Sequence, residues 1–300
     1  MKVLAGHFPA RAYLEVSIRV SSRPPSRRKG ILDFFRSRGI GEERLVTSAT
    51  RTFWKACFYT RSRREISRMV RGVGTLEAAG LKLETRLLGP ADWLDKWKRH
   101  YRTRPLGERF AVVPVWERGR NLESGRIPIL LDPGAAFGSG THESTRLAIT
   151  GMERLAGRFE NFLDLGTGTG ILAVAAANMG AREVQAIDHD AHSVRIARRN
   201  YALNGCRAGD FRRLDLRQFN PRRRYDLVAA NLLSKTLLEY AKKIRNSVRP
   251  GGFLIVSGIH RSNLKAFLAG FRHPELRCLK VLGTRSWSAV LWRKGRNAPP

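Results

Sequence analysis

Three glycines, Gly166, Gly168 and Gly170, stand two apart in DLGTGTGILAVAA, between an apolar run and an Ala-rich stretch. That spacing places them on a tight turn from a strand into a helix, a cradle for a small molecule at a helix N-terminus. A dinucleotide fingerprint needs its third glycine three positions after the second, but Ile171 stands there and the glycine comes one residue early. The resulting G-x-G-x-G form suits a smaller adenosyl cofactor with no pyrophosphate to wrap, although glycines at such a turn also serve packing alone. Asp188 closes EVQAID, 22 positions after Gly166, at the tip of the next strand, where a carboxylate can hydrogen-bond both ribose hydroxyls. Asp190 is the better candidate for the following helix cap. Asp164, two residues before the first glycine, directs a carboxylate into the same turn, either to hold the loop or to meet a cofactor amino group. Asn231, in AANLL, falls at the end of the fourth strand of this block, facing the crevice where open parallel sheets bind ligands. An amide after VAA is out of place in a buried strand unless it has a partner, which marks Asn231 as an active-site residue.

A second cluster precedes the glycine strand. In LDPGAAFGSGTHESTRLAIT (131–150), Gly134, Gly138 and Gly140 let the backbone fold tightly, while Thr141, His142, Ser144 and Thr145 supply polar groups at the start of a helix. Other constellations lead nowhere. His189 and His192 are three apart but lack a third ligand of matching spacing, so no metal site is expected. There is no GxSxG elbow, HExxH pair or Walker A sequence, so hydrolase and NTPase chemistry have no starting point. Three cysteines, Cys57, Cys206 and Cys278, form neither a CxxC pair nor an even-numbered set. The run RRR at 222–224 reads as a solvated turn in preference to a phosphate grip.

The elements that must position these groups alternate in a regular way. From about residue 145 the pattern runs NFLDLG (161–166), EVQAID (183–188), YDLVAANLL (225–233) and FLIVSGI (253–259), with helical stretches between. Such alternation implies right-handed crossovers and a mostly parallel sheet covered on both faces. Residues 1–89 read differently. YLEVSIRV (13–20), a helix over ILDFFRSRG (31–39), LVTSA (45–49), RTFWKACFYT (51–60), a helix over 62–80 and LKLETRLL (81–88) give β-α-β-β-α-β. This is a ferredoxin-like arrangement. Between the two blocks, DWLDKWKRHY (92–101) has apolar residues at helical spacing, RPLGERFAVVPVW (104–116) reads as one broken strand, and GRIPILLDPG (125–134) is an apolar run ending in a turn.

Three hundred residues with 42% hydrophobic content are enough for two cored domains, which excludes a disordered chain. No run approaches the roughly 18 apolar residues of a membrane span, and no secretion signal stands at the N-terminus. The net charge of +31 is the unusual quantity. Residues 1–90 contribute +12, residues 91–200 only +3 and residues 201–300 +16. An excess of this size favours polyanionic neighbours such as RNA, although an arginine-rich composition can also leave a merely solvated surface.

Taken in order, LDPGAAFGSGTHESTRLAI, DLGTGTGILAVAA, AIDHDAHSVRIARRNYALNG, VAANLLSKTL and RPGGFLIVSGI resemble the large-subunit ribosomal protein L-eleven methyltransferases of the PrmA type, a class I S-adenosylmethionine-dependent family. The resemblance covers about residues 90–260. It implies an α/β fold, a Rossmann-like class I methyltransferase domain over 106–300 with a small N-terminal α+β ferredoxin-like substrate-recognition domain over 1–89, joined by a connecting helix over 90–105. It also implies S-adenosyl-L-methionine as cofactor, with contacts at Thr145, Gly166, Asp188 and Asn231, supported by Asp164, Gly168 and Gly170. The implied reaction is methyl transfer to lysine ε-amines and an N-terminal α-amine of a ribosomal protein by a cytoplasmic monomer, with Asn231 positioning the acceptor and the basic surface open to RNA or ribosome contact. Another protein lysine or an RNA are alternative acceptors, and a non-catalytic basic ribosome-associated protein is a further alternative. Base methylation is disfavoured by Asn231-Leu232-Leu233-Ser234, which lacks the aromatic residue that would hold a flipped base.

Overall fold

The computed structural model describes residues 13–21, 25–40, 45–49, 53–60, 63–70, 81–88, 101–119, 122, 125–132, 138, 140, 142–221 and 223–296. The chain divides into two compact units, Met1–Tyr101 and Arg102–Pro300.

In the first unit β1 (Tyr13–Ser21), α1 (Pro25–Ser37), β2 (Val46–Ala49), β3 (Phe53–Thr60), α2 (Arg63–Val70) and β4 (Lys82–Leu88) follow in that order. The strands form one antiparallel sheet, β2-β3-β1-β4. Alternation sends Val16, Ile18 and Val20 of β1 and Trp54, Ala56 and Phe58 of β3 to one face. There they meet Ile31, Phe34 and Phe35 of α1, with the Phe35 and Phe58 rings edge to face at 5.7 Å. The sequence places a turn at PPSRRKG and starts the helix at Ile31, whereas α1 already begins at Pro25. Proline is well suited to a first helical position, where its fixed φ is pre-set and its missing N–H costs nothing. Of the expected second helix, Arg63–Val70 is helical and 71–80 lie outside the described residues. Of the expected connecting helix over 90–105, residues 90–100 also lie outside them, and the described remainder is not helical: 101–103 have no regular structure and Arg104 opens a strand, where Pro105 cannot continue a helix.

The second unit opens with β5 (Arg104–Leu106), β6 (Phe110–Pro114) and β7 (Ile127–Leu131), a small separate sheet of order β5-β6-β7. Residues 104–116 are therefore a hairpin and a short 3-10 turn, and not one broken strand. Glu153 makes the turn: its carboxylate accepts the Glu108 N–H at 2.9 and 3.0 Å and the Arg109 N–H at 2.8 Å. The chain continues through α3 (Glu143–Glu153), β8 (Asn161–Leu165), α4 (Ile171–Asn178), β9 (Glu183–Asp188), α5 (Ala191–Leu203), β10 (Gly209–Arg213) and β11 (Tyr225–Asn231). It ends with α6 (Ser234–Glu239), α7 (Ala241–Asn246), β12 (Val248–His260), α8 (Leu264–Phe271), β13 (Leu276–Gly283) and β14 (Trp287–Lys294).

These build a seven-stranded sheet of order β10-β9-β8-β11-β12-β14-β13, parallel from β10 to β12, with β14 antiparallel to both neighbours. The architecture is α/β and Rossmann-like. One face packs Leu163, Leu165, Val228, Leu254, Val256 and Trp292 against Leu237, Ile244, Phe267 and Phe271 of α6, α7 and α8. On the other face α3 lies on β12 and β14, and α4 lies on β8 and β9. Central strands buried on both faces read as continuous apolar runs, which is why β8, β11 and β12 were visible in the sequence.

The sheet depends on close approach of α4 to α5. Gly170 caps α4 with φ +81°, and a Cβ there would stand 2.9 Å from Ala197 Cα and 3.1 Å from Ala197 O. Neither is the end of a flexible side chain. Gly170→Ala should therefore cost about 2–4 kcal/mol, from left-handed strain plus helix displacement, and lower Tm by roughly 5–10 °C in a calorimetric scan. An unchanged Tm would show that the two helices separate freely.

Candidate cofactor and acceptor site

The turn after β8 is held from several sides. Gly166 N–H and Thr167 N–H both donate to Ile187 O, at 2.9 and 3.0 Å, and Gly170 N–H donates to Thr167 O at 2.8 Å. Gly166, Gly168 and Gly170 all have positive φ. Asp188, only 8% exposed, accepts the Gly168 N–H at 3.0 Å on one oxygen and the Asp190 N–H at 2.9 Å on the other. Asp190 caps α5 by accepting from His192 N–H and Ser193 N–H, and these bonds hold its carboxyl below the usual range. His189 thus precedes the helix and does not share its face with His192; it lies 3.2 Å from Asp188.

Asp164 is fully buried beneath the turn. One oxygen accepts from Thr167 Oγ1 at 2.7 Å, while Oδ1 has no partner in the protein. Burial pushes its carboxyl up to about 7; the Thr167 hydroxyl and, more weakly, the Ala173 backbone N–H of α4 oppose the rise, and Asp188 adds to it. Across the sheet, Asn231 ends β11 and donates Nδ2 to Thr145 Oγ1 at 3.2 Å, joining positions 86 residues apart. Thr145 is buried in the first turn of α3. His142 caps that helix: its Nδ1 accepts from Ser144 N–H at 3.2 Å, which puts the ring proton on Nε2. Ser144 O accepts in turn from Ser257 Oγ at 2.8 Å, and Ser257 is the register partner of Asn231.

A cavity of about 410 Å3 opens beside the turn, lined by Gly166, Asp188, His189, Asp215, Leu232 and Tyr240, among others. Gly166 and Asp188 meet there. Gly168, Gly170 and Asp164 support the wall from behind, and Thr145 and Asn231, though paired with each other, are not among the lining residues. A larger cleft of about 690 Å3 lies over β9 and β10, where several polar side chains of the lining bond to one another, Tyr225 to Gln185, Gln185 to Asp210 and Arg212 to Asp210. No residue chosen from the sequence lines it.

Several site residues escaped the sequence reading. Asn200 of α5, fully buried, donates to Thr169 O at 2.8 Å and accepts the Asp132 N–H at 2.9 Å; one turn on, Asn204 brackets Leu130 with two 2.8 Å bonds. Two asparagines four apart on one helical face were the available signal. Asp215 contributes a carboxylate held down to about 2, first by the Arg217 side-chain hydrogen bond. Gly258, with φ +84°, lets β12 pass the Leu232 backbone where a Cβ would collide with it. Trp287 sits edge to face with His142 at 4.6 Å and with His260 at 5.6 Å, and Glu143 accepts from the Thr284 hydroxyl. Of the earlier polar cluster, Gly138 O accepts from Thr169 Oγ1 at 2.6 Å, while Gly134 and Thr141 lie outside the described residues.

The sequence profile of the family described as "Ribosomal protein L11 methyltransferase (PrmA)" matches residues 35–295. The chain belongs to this family. A Caldicellulosiruptor saccharolyticus protein named ribosomal protein L11 methyltransferase is 34% identical over 213 residues, covering 71% of this chain and 69% of its own. A protein of the same name from Geobacter sulfurreducens is 35% identical over 267 residues, covering 87% and 86%. The crystal structure of a ribosomal protein L11 methylase from Lactobacillus delbrueckii subsp. bulgaricus superposes with a TM-score of 0.59 at 31% identity, over 65% of this chain and all of that one. The chain is thus a methyltransferase of the class I fold, with S-adenosylmethionine as its methyl donor. The residues present suit that donor. The 410 Å3 cavity is of small-molecule size, the Asp188 carboxylate stands in its wall, and beneath the turn the buried Asp164 Oδ1 makes no hydrogen bond in the protein.

The Asp164 carboxyl gives a pH signature. Its folded value, about 7, lies above the ordinary 3.8, so between these values the folded chain keeps a proton that the unfolded chain releases. The stability this proton confers is full below the unfolded value and is lost as pH rises through about 7. In Asp164→Asn, whose amide oxygen can still accept from Thr167, that loss should vanish. Without cofactor, the wild-type Tm should fall relative to the variant between pH 5 and 8; parallel profiles would refute the assignment.

Proposed function

We propose that the chain transfers methyl groups from S-adenosylmethionine to amino groups of ribosomal protein L11, lysine ε-amines and the N-terminal α-amine. The observation that carries this reading is the Asn231–Thr145 pair, held by Ser257 and Ser144 at the strand ends beside the glycine turn. When bound, the sulfonium supplies an electrophilic methyl group. Gly166 and Asp188 would hold the donor in the cavity, Asp188 through ribose hydroxyls, with Thr145 and Asn231 as further contacts. Asp164, Gly168 and Gly170 keep the turn in place, and Asp164 Oδ1 can accept from the donor's amino group.

An amine attacks only when neutral and in line, so the protein's task is alignment and loss of a proton. With its nitrogen engaged by Thr145, Asn231 presents its carbonyl oxygen to an amine N–H. Leu233, 71% exposed after β11, offers an aliphatic surface to a lysine's methylene stem and no ring on which a base could stack. The first unit, with the β-α-β-β-α-β order, would recognise the protein substrate. A cytoplasmic monomer fits this role, and among the described residues no helix is long and apolar enough to cross a membrane.

The test is transfer of labelled methyl from S-adenosylmethionine into purified L11, with ribosomal RNA as a separate acceptor. Label should enter L11 in 14 Da steps by mass spectrometry and leave RNA unlabelled. Asp188→Ala should raise the KM for the donor about 10–100-fold, the worth of one or two charged hydrogen bonds, whereas Asn231→Ala should lower kcat at saturating donor. Label only in RNA would overturn the acceptor assignment.

A further inference from the structure

The end of the large sheet opposite the cofactor cavity carries an unbalanced charge. The carboxylates there, Glu160, Glu183, Asp226 and Glu275, each have a cationic partner in Arg182, Arg223, Arg249 and Lys294. Arg158, Arg224, Arg245, Arg277, Arg293 and Arg296 share that end, and none has a carboxylate within 4 Å among the described residues. Three of them form a row. Arg158 and Arg293 both lie over the Phe253 ring, at 4.9 and 5.7 Å, and Arg277 of β13 stands directly opposite Arg293 of β14. Like charges directly opposed across antiparallel strands destabilise a sheet, and among the described residues neither arginine of this pair has a carboxylate within 4 Å.

We propose that this end of the catalytic unit docks the phosphodiester backbone of RNA, with Arg158, Arg293 and Arg277 at its centre. Guanidinium groups grip phosphates through paired N–H donors; Arg293 and Arg277 stand on adjacent strands, about 4.8 Å apart, and Arg158, from the bend before β8, shares the Phe253 ring with Arg293, so the three present neighbouring forks to one backbone. A protein interface would need an exposed apolar core and a lipid surface an exposed apolar wedge. At this end the aromatic residue, Phe253, is only 5% exposed beneath two guanidiniums, and the exposed apolar side chains of β13, Leu279 and Val281, stand farther along that strand, two and four residues beyond Arg277. Four residue steps along β12, about 13 Å of strand, take the chain from Phe253 to Ser257 beside Asn231, so bound RNA leaves the cofactor cavity open. The inference does not rest on the acceptor proposed above.

Fluorescence anisotropy with a labelled single-stranded RNA of about 20 nucleotides, titrated at several salt concentrations, tests it. The triple variant R158Q/R277Q/R293Q should lose about a hundredfold in affinity at 0.1 M salt, and the slope of log K against log salt should shrink by about 2, as expected for three lost phosphate contacts. The matched variant R118Q/R195Q/K265Q, at exposed positions elsewhere in the same unit, should lose less than about threefold. The first variant should keep or raise its Tm, because the opposed pair is gone, and both should methylate free L11 as wild type does. Equal losses in the two variants would reduce the effect to net charge and overturn the docking surface. Binding of phosphatidylserine vesicles, lost in the first variant while RNA affinity is unchanged, would assign the surface to a membrane.

Discussion

One carboxylate fixes the geometry on which the site depends. Asp188 accepts the N–H of Gly168 and the N–H of Asp190, so a single side chain ties the tip of the glycine turn to the entry of α5. The far side of the same helix completes the hold. Asn200 reaches Thr169 O and the Asp132 N–H, and Asn204 brackets Leu130. The turn, α5 and the end of β7 thus form one hydrogen-bonded body. Buried polar groups that are fully satisfied rigidify their surroundings. A turn with three positive-φ glycines needs such support, because glycine is the residue with most conformational freedom to lose.

Asp164 breaks that economy at one atom. Its Oδ2 is satisfied and its Oδ1 is not, and an unmatched buried oxygen costs about 1–3 kcal/mol. Such a cost is tolerated where function needs a group held ready for a donor that the folded chain does not itself supply. The raised carboxyl value follows from the same burial. Site preparation and pH-dependent stability therefore have one cause.

What the sequence revealed and what it hid divide along local and non-local lines. The glycine turn, Asp188 and Asn231 were legible because spacing, strand tips and an out-of-place amide are local signals, and β8, β9, β11 and β12 because buried parallel strands read as apolar runs. β10, with GDFRR, and β13, with five successive exposed residues, are edge strands whose side chains look like loop, and β14 is recognised only by its pairing with β12 and β13. Asn200, Gly258 and the Trp287 cluster take their meaning from partners dozens of residues away, which no window along the chain contains. The early start of α1 was hidden by reading two prolines as chain exit when the second opens the helix.

A parallel sheet also sorts charge. All five parallel strands deliver their C-terminal ends to one edge, where the helix N-termini and the cofactor crevice gather. Positive charge crowded there would compete with Asp188 and Asp215 for their partners, and the stretch that builds the glycine turn belongs to the third of the chain carrying only +3. The other end holds the short connections that precede each strand, and no cofactor constrains them. It is at this end that Arg158, Arg224, Arg245, Arg277, Arg293 and Arg296 collect. A solvated excess of arginine would minimise repulsion by dispersal or by pairing with the carboxylates at hand. Arg277 opposite Arg293 does neither among the described residues, and the Phe253 ring beneath Arg293 offers it a π face but no countercharge, which leaves the phosphate row proposed above as the anionic partner that would offset their repulsion.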